Sequence, residues 1–282
     1  MPRIYTQLHK VLNYEGDAWG QLQPSGVLRL LETSAIDAAS DGGYGDEFHA
    51  THGTAWVVRR MSLLLLAPAH TGDGLEIATW ASHFVRVRGG REYRIENLTT
   101  GRSAAQGIAE WVYVDRKTGM PRPIPPQVAA DFDVPGAPLG SYEPPPVSLA
   151  PIPKEHQASR KAEWYEADSM GHVNNTVYAD WLDSAFRDAM EEAGWPVAQY
   201  KKRGYQLRAN YILLEYKRPA LPDDRLVIST NIVGAEGSLC SVSQTIRRAD
   251  REDSTELASA EYVYGWADRD GVSCEPPEGW PD

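Results

Sequence analysis

Ala167-Asp-Ser-Met-Gly-His-Val-Asn-Asn-Thr-Val-Tyr-Ala-Asp-Trp181 sets an acid, a glycine, a histidine and two asparagines ahead of an apolar periodicity. Val177, Tyr178, Trp181, Leu182, Ala185, Phe186, Ala189 and Met190 recur at helical spacing. A stripe that wide marks a helix buried over most of its surface. Gly171 permits a tight turn after Asp168. The spacing therefore predicts acid, turn and then a long buried helix that starts near Asn174–Asn175.

The same pattern returns at an offset of 151 residues. Asp17 and Gly20 stand to Asp168 and Gly171 at that offset, as do Asp73, Leu75, Ile77 and Thr79 to Asp224, Leu226, Ile228 and Thr230. Val112-Tyr113 likewise repeats as Val263-Tyr264. One offset held over so long a span points to a duplicated unit. In the first copy Val27, Leu28, Leu31, Ala35 and Ala38 give the helix, opened by Pro24. Strands are expected at 54–66, 75–87, 92–97 and 105–114, and again at 206–216, 225–233, 239–247 and 256–266. A long buried helix followed by antiparallel strands is an α+β unit, a sheet wrapped on a helix. Two in tandem are expected to pack as a pseudo-dimer. Eleven of the twenty prolines fall between Pro121 and Pro153, so 121–159 reads as an extended linker. The units are then 1–120 and 160–282, the second ending in a loose tail.

Composition excludes several classes. The formal charge of −11 argues against a nucleic-acid or anionic-membrane binder. Cys240 and Cys274 fit no zinc or redox motif, and no apolar run is long enough to cross a bilayer. A soluble cytoplasmic protein is the expectation.

The run Asp168-Ser-Met-Gly-His-Val-Asn-Asn, with Tyr178 and Trp181, resembles the signature of hotdog-fold thioesterases. WVVRRMSLLLLAPAHTGDGLEIATW (56–80), AEWVYVDRKTGMPRPIP (109–125) and LEYKRPALPDDRLVIST (214–230) resemble the acyl-ACP thioesterase family. The resemblance covers roughly residues 5–266. It implies a tandem double hotdog that hydrolyses fatty acyl thioesters of acyl carrier protein, with no metal or organic cofactor. Thioesters of coenzyme A or of polyketide-type carriers are the alternative substrates. A degenerate hotdog that only binds acyl chains is the non-enzymatic alternative. A monomer and a homodimer both fit.

Thioester hydrolysis needs a carboxylate as general base or nucleophile, donors for the oxyanion, and a dry tunnel for the acyl chain. Asp168 supplies the carboxylate, although acids also favour helix starts for stability alone. The helix N-terminus supplies unpaired N–H groups and partial positive charge; the resemblance makes the Asn175 amide the donor. His172 fits a role in orienting or protonating groups, or that of a satisfied core histidine. Asn174 fits a brace on Asp168 or a plain helix cap. Met170, Tyr178 and Trp56 are taken as substrate contacts, with Trp19 and Trp80 as further wall candidates. Glu215 is a possible second carboxylate or a solvent-facing strand acid. Glu32 and Asp183 stand at matching positions as structural partners.

Plant members of the family resemble Asp-x-Asn-x-His here and place Glu and Cys after LEYRR. This chain has Met170 for that asparagine, and Pro219 and Ala220 for the other two. The first copy has Gln21 for the histidine and Pro24 at the helix start, so one active site per chain is expected, with the first unit as acyl wall. An acidic carrier needs a basic dock, for which Lys201, Lys202, Arg203, Arg208, Lys217 and Arg218 form the densest group.

Overall fold

Period-two burial along antiparallel strands builds each unit, and proline with glycine punctuates them. The computed structural model describes residues 3–132, 142, 155–249 and 255–280. The chain divides into Met1–Tyr142 and Glu143–Asp282.

In the first unit β1 (Tyr5–Lys10), β2 (Thr54–Leu65), β3 (Gly74–Val85), β4 (Arg88–Asn97) and β5 (Arg102–Asp115) form an antiparallel sheet in the order β1-β3-β4-β5-β2. Helix α1 (Pro24–Asp41) packs across it, with Val27, Leu28, Leu31, Ala35 and Ala38 buried as the periodicity required. Two short helices, α2 (Asp46–His52) and α3 (Pro126–Asp131), join a second cluster of Tyr44, Phe48, Phe84, Ile124, Val128 and Phe132.

The second unit repeats the plan. β6 (His156–Lys161), β7 (Gln206–Tyr216), β8 (Arg225–Glu236), β9 (Leu239–Arg248) and β10 (Glu256–Ala267) lie in the order β7-β10-β9-β8-β6. Helix α4 (Val177–Glu192) buries Tyr178, Trp181, Leu182, Ala185, Phe186, Ala189 and Met190, and α5 (Val197–Lys202) follows it. The copies agree even in their irregularities. Bulges fall at Arg59 in β2 and Asn210 in β7, and at Ser82 in β3 and Val233 in β8, each pair one repeat offset apart.

The expected unit boundaries need correction. Residues 121–132 are not linker, because Val128 and Phe132 are buried in the first unit. Residues 156–159 belong to β6, which pairs with β8. The rest of the proline-rich stretch, apart from 142 and 155, lies outside the described residues. Nor is the C-terminal tail loose up to Trp280. Its indole is 7% exposed and meets Trp195 and Trp266 edge-to-face, at 5.4 and 5.0 Å between centroids. β1 and β6 escaped the sequence reading because each alternates half-buried with exposed residues and buries no side chain fully.

Candidate active site

The Asp168 loop is held by backbone bonds at both ends. Asp168 N–H donates to His172 O at 2.8 Å and Gly171 N–H to Asp168 O at 3.0 Å. Gly171 has φ +78°, the left-handed region that a side chain would strain. Val173 N–H donates to Ala220 O and Asn174 N–H to Glu166 O, both at 2.9 Å. The half-buried Asp168 carboxylate accepts from Met170 N–H at 2.8 Å.

Among the described residues this turn recurs at Asp17 and Asp268. Asp17 accepts from Trp19 and Gln21 N–H, and Asp268 from Asp270 and Val272 N–H. Gly20 and Gly271 take the matching positive φ of +74° and +77°. The acid-to-glycine spacing therefore encodes a loop first. Asp168 differs in accepting one turn amide through its side chain where the other two accept two, which leaves more of its carboxylate for other partners.

Helix α4 starts later than the sequence suggested. Asn174 and Asn175 form a turn ahead of it, and Thr176 is the N-cap. Asn174 Oδ1 accepts from Thr176 N–H at 2.9 Å and Thr176 Oγ1–H at 2.6 Å, so Asn174 braces the helix start. Asn174 O accepts Val177 N–H at 3.1 Å. A trans peptide holds C=O and N–H antiparallel. Since the Asn174 carbonyl points into the helix, the Asn175 N–H is directed out of its N-terminal end. Tyr216 O–H donates to Asn175 O at 2.9 Å and fixes the next peptide.

Other expected residues divide. Tyr178 is a core residue here, 2% exposed. Its hydroxyl accepts Ala220 N–H at 2.7 Å, and burial pushes its pKa up to about 12. The half-buried Met170 and His172 stay on the loop. Pro219 and Ala220 lie beside it, where Pro219 O accepts from Arg248 Nη2 at 2.7 Å. Glu215 is not brought to the loop face. Tyr216 turns toward Tyr178 and Asn175, and successive strand residues alternate, so Glu215 projects from the opposite face of the sheet. Trp56 packs on Tyr113 and Phe84, at 5.0 and 6.1 Å, on the α1 face of its sheet. Trp80 pairs with Glu92 on the other face, so the two tryptophans do not share one wall.

The basic group is also split. Lys201 and Lys202 end α5 before β7, whereas Lys217 and Arg218 follow it. An eleven-residue strand separates them, roughly 35 Å at the rise of an extended chain. Asp183 holds Arg187 at 3.2 Å, a structural pair on α4 that raises the guanidinium's pKa against its burial.

Sequence reading missed Glu166. Its buried carboxylate takes Arg160 Nη2 at 2.7 Å, Trp181 Nε1–H at 2.9 Å and Glu163 N–H at 2.8 Å. It thus fastens helix α4 to the strand and loop before it. The signal was present in the repeat: Glu15, one offset earlier, takes Leu12 N–H at 2.7 Å and His9 at 2.8 Å.

Each unit is a strand-wrapped helix with its loop at the helix start, and comparison places that arrangement. Residues 2–132 match the acyl-ACP thioesterase N-terminal domain, and 162–279 the thioesterase-like superfamily. The fold is a tandem of two hotdog units, and each unit matches a thioesterase model. The acyl-ACP thioesterase model accounts for the first unit, just under half of the chain. The chain is 24% identical over 256 residues to the palmitoyl-acyl carrier protein thioesterase of Arabidopsis thaliana, covering 83% of this chain and 56% of that protein. The chain thus spans about half the length of the curated relatives it matches. Among solved structures, the 12:0-ACP thioesterase of Umbellularia californica matches with a TM-score of 0.74 at 16% identity, over 94% of each chain. An acyl-ACP thioesterase of Bacteroides thetaiotaomicron gives 0.71 at 17% identity, over 93% of this chain and 97% of that one. Among the described residues no helix is long and apolar enough to cross a membrane.

Proposed function

We propose that the chain hydrolyses fatty acyl thioesters carried on acyl carrier protein, releasing the free acid. The observation that carries this reading is the direction of the Asn175 N–H, aimed out of the α4 terminus beside the Asp168 loop. A thioester carbonyl docked there meets that amide and the positive end of the helix dipole. Asp168 then acts as general base on water, or as nucleophile through an acyl-enzyme anhydride that water opens. Negative charge collects on the carbonyl oxygen as the nucleophile adds; the carbonyl then re-forms as the bond to sulfur breaks, and the leaving thiolate takes up a proton. His172, four residues on, is placed to orient groups or give a proton.

The carrier follows from the relatives, whose names specify acyl carrier protein. The test is thiol release by the purified chain from acyl carrier protein and coenzyme A thioesters over C4 to C18. Faster turnover on the carrier-protein series is expected. Inertness on both series sinks the enzyme reading in favour of acyl binding alone.

A further inference from the structure

The two copies keep one backbone frame at the helix start and differ in the side chains around it. Leu22 N–H donates to Ala69 O at 2.8 Å in the first unit, and Val173 N–H to Ala220 O at 2.9 Å in the second, one repeat offset apart. Four positions near that frame change together. Gln23, Pro24, Val27 and Leu65 stand where Asn174, Asn175, Tyr178 and Tyr216 do. Pro24 has no N–H to present. Gln23 makes no side-chain cap on its helix, its amide reaching back to Gly16 O at 3.1 Å, and Leu65 brings no hydroxyl.

In the second unit both peptides that flank Asn175 are held. The Asn174 carbonyl accepts Val177 N–H at 3.1 Å. The next peptide is gripped at each end, by Tyr216 O–H on the Asn175 carbonyl at 2.9 Å and by Asn174 Oδ1 on the Thr176 N–H at 2.9 Å. A residue has two soft dihedrals, so fixing both of its peptides fixes the direction of its N–H. Tyr216 is itself seated. It is the last residue of β7, and its ring stands edge-on to Tyr178 at 5.4 Å. The Tyr178 hydroxyl is tied in turn to Ala220 N–H at 2.7 Å. The copy with an N–H to aim thus carries the groups that aim it.

We propose that Tyr216 is a positioning residue for the hydrolysis, holding the Asn175 N–H through the Asn175 carbonyl in the direction where the oxyanion forms. The proposal rests on the hydrolytic reading above. An oxyanion donor is effective because it is aimed before charge develops. Without the phenol hydroxyl the Asn175–Thr176 peptide keeps one of its two holds, and the N–H swings over directions that miss the oxyanion. The same hydrogen bond ties the end of β7 to the start of α4, which serves stability whatever the chemistry. Kinetics separate the two roles.

The test is a double-mutant cycle on the full chain, with kcat and KM measured on an acyl carrier protein thioester and thermal melting alongside. Tyr216→Phe keeps the ring against Tyr178 and deletes the donor. It is expected to lower kcat about ten-fold, the scale of one hydrogen bond, with KM within about two-fold of wild type. In Asn175→Pro, which has no N–H left to aim, adding Tyr216→Phe is expected to change kcat by less than about two-fold. Full kcat in Tyr216→Phe overturns the proposal, and so does an equal fall in both backgrounds, the mark of a purely structural bond. Should Asn175→Pro fail to fold, Tyr216→Phe alone decides, and a raised KM at unchanged kcat overturns it. A wild-type chain inert on every thioester removes the hydrolytic reading and this proposal together, whereas an active wild type with a fully active Tyr216→Phe removes the proposal alone.

Discussion

The loops at Asp17 and Asp168 close by the same backbone bonds, 2.7 and 2.8 Å across the loop and 2.9 and 3.0 Å at the glycine. They hand different residues to the helices that follow. Pro24 stands one repeat offset before Asn175, and proline has no N–H. The first unit therefore cannot present an amide where the second directs one out of its helix. Gln21 likewise stands where His172 does. Duplication kept the scaffold, a turn that costs little to retain, while the groups that the proposed chemistry uses sit in one copy. A shared acid is thus weak evidence for catalysis, and a shared acid followed by an outward N–H is stronger.

That contrast can be broken by substitution. Asp168→Asn keeps the acceptor for Met170 N–H and should preserve the fold, yet lower kcat by about 10²–10⁴-fold. Asp17→Asn should leave kcat within two-fold or so, given that general-base loss alone sets the scale. Equal effects of the two in a steady-state assay would erase the distinction between the copies. Asn175→Pro imposes the residue of the first unit on the second. The position suits proline, being the second residue of a turn. Removal of one oxyanion donor is expected to cost about 3–4 kcal/mol in kcat, with the circular dichroism spectrum unchanged. Activity within ten-fold or so of wild type would take Asn175 out of the oxyanion role.

Two smaller effects concern the scaffold. Glu166→Ala strands Arg160 and the Trp181 N–H, so denaturant unfolding should show a loss of about 3–5 kcal/mol, as for other broken buried pairs. Glu15→Ala removes a more exposed acid, 16% against 6% for the side chain, and should lose less. The reverse order would mean that the second anchor is not the tighter one. Asp268→Ala removes only a turn acceptor and should cost about 1 kcal/mol in unfolding without altering kcat, comparable to losing a helix cap.

Periodicity made the two long helices legible, because eight apolar positions at helical spacing on α4 have no other use. Seven of the eight are buried, and the exception, Val177, is its first residue. The repeat offset located the strands to within a few residues, since burial alternates along them. β1 and β6 stayed hidden for want of a fully buried residue, as did the α3 packing, because prolines around it suggested linker. Glu215 looked available as a second acid until strand parity turned it away from the loop.

The sequence by itself determined the duplication, the α+β units, the glycine-bearing turn and the copy that holds His172 and Asn175. All of these are written in spacing and residue type, which local sterics and periodic burial read directly. The tertiary structure decided which groups share a face. It made Tyr178 core, joined Ala220 to the loop and divided the basic residues between two ends of β7. Those outcomes depend on strand register and on distant segments that satisfy one another's hydrogen bonds, and no local pattern carries that information.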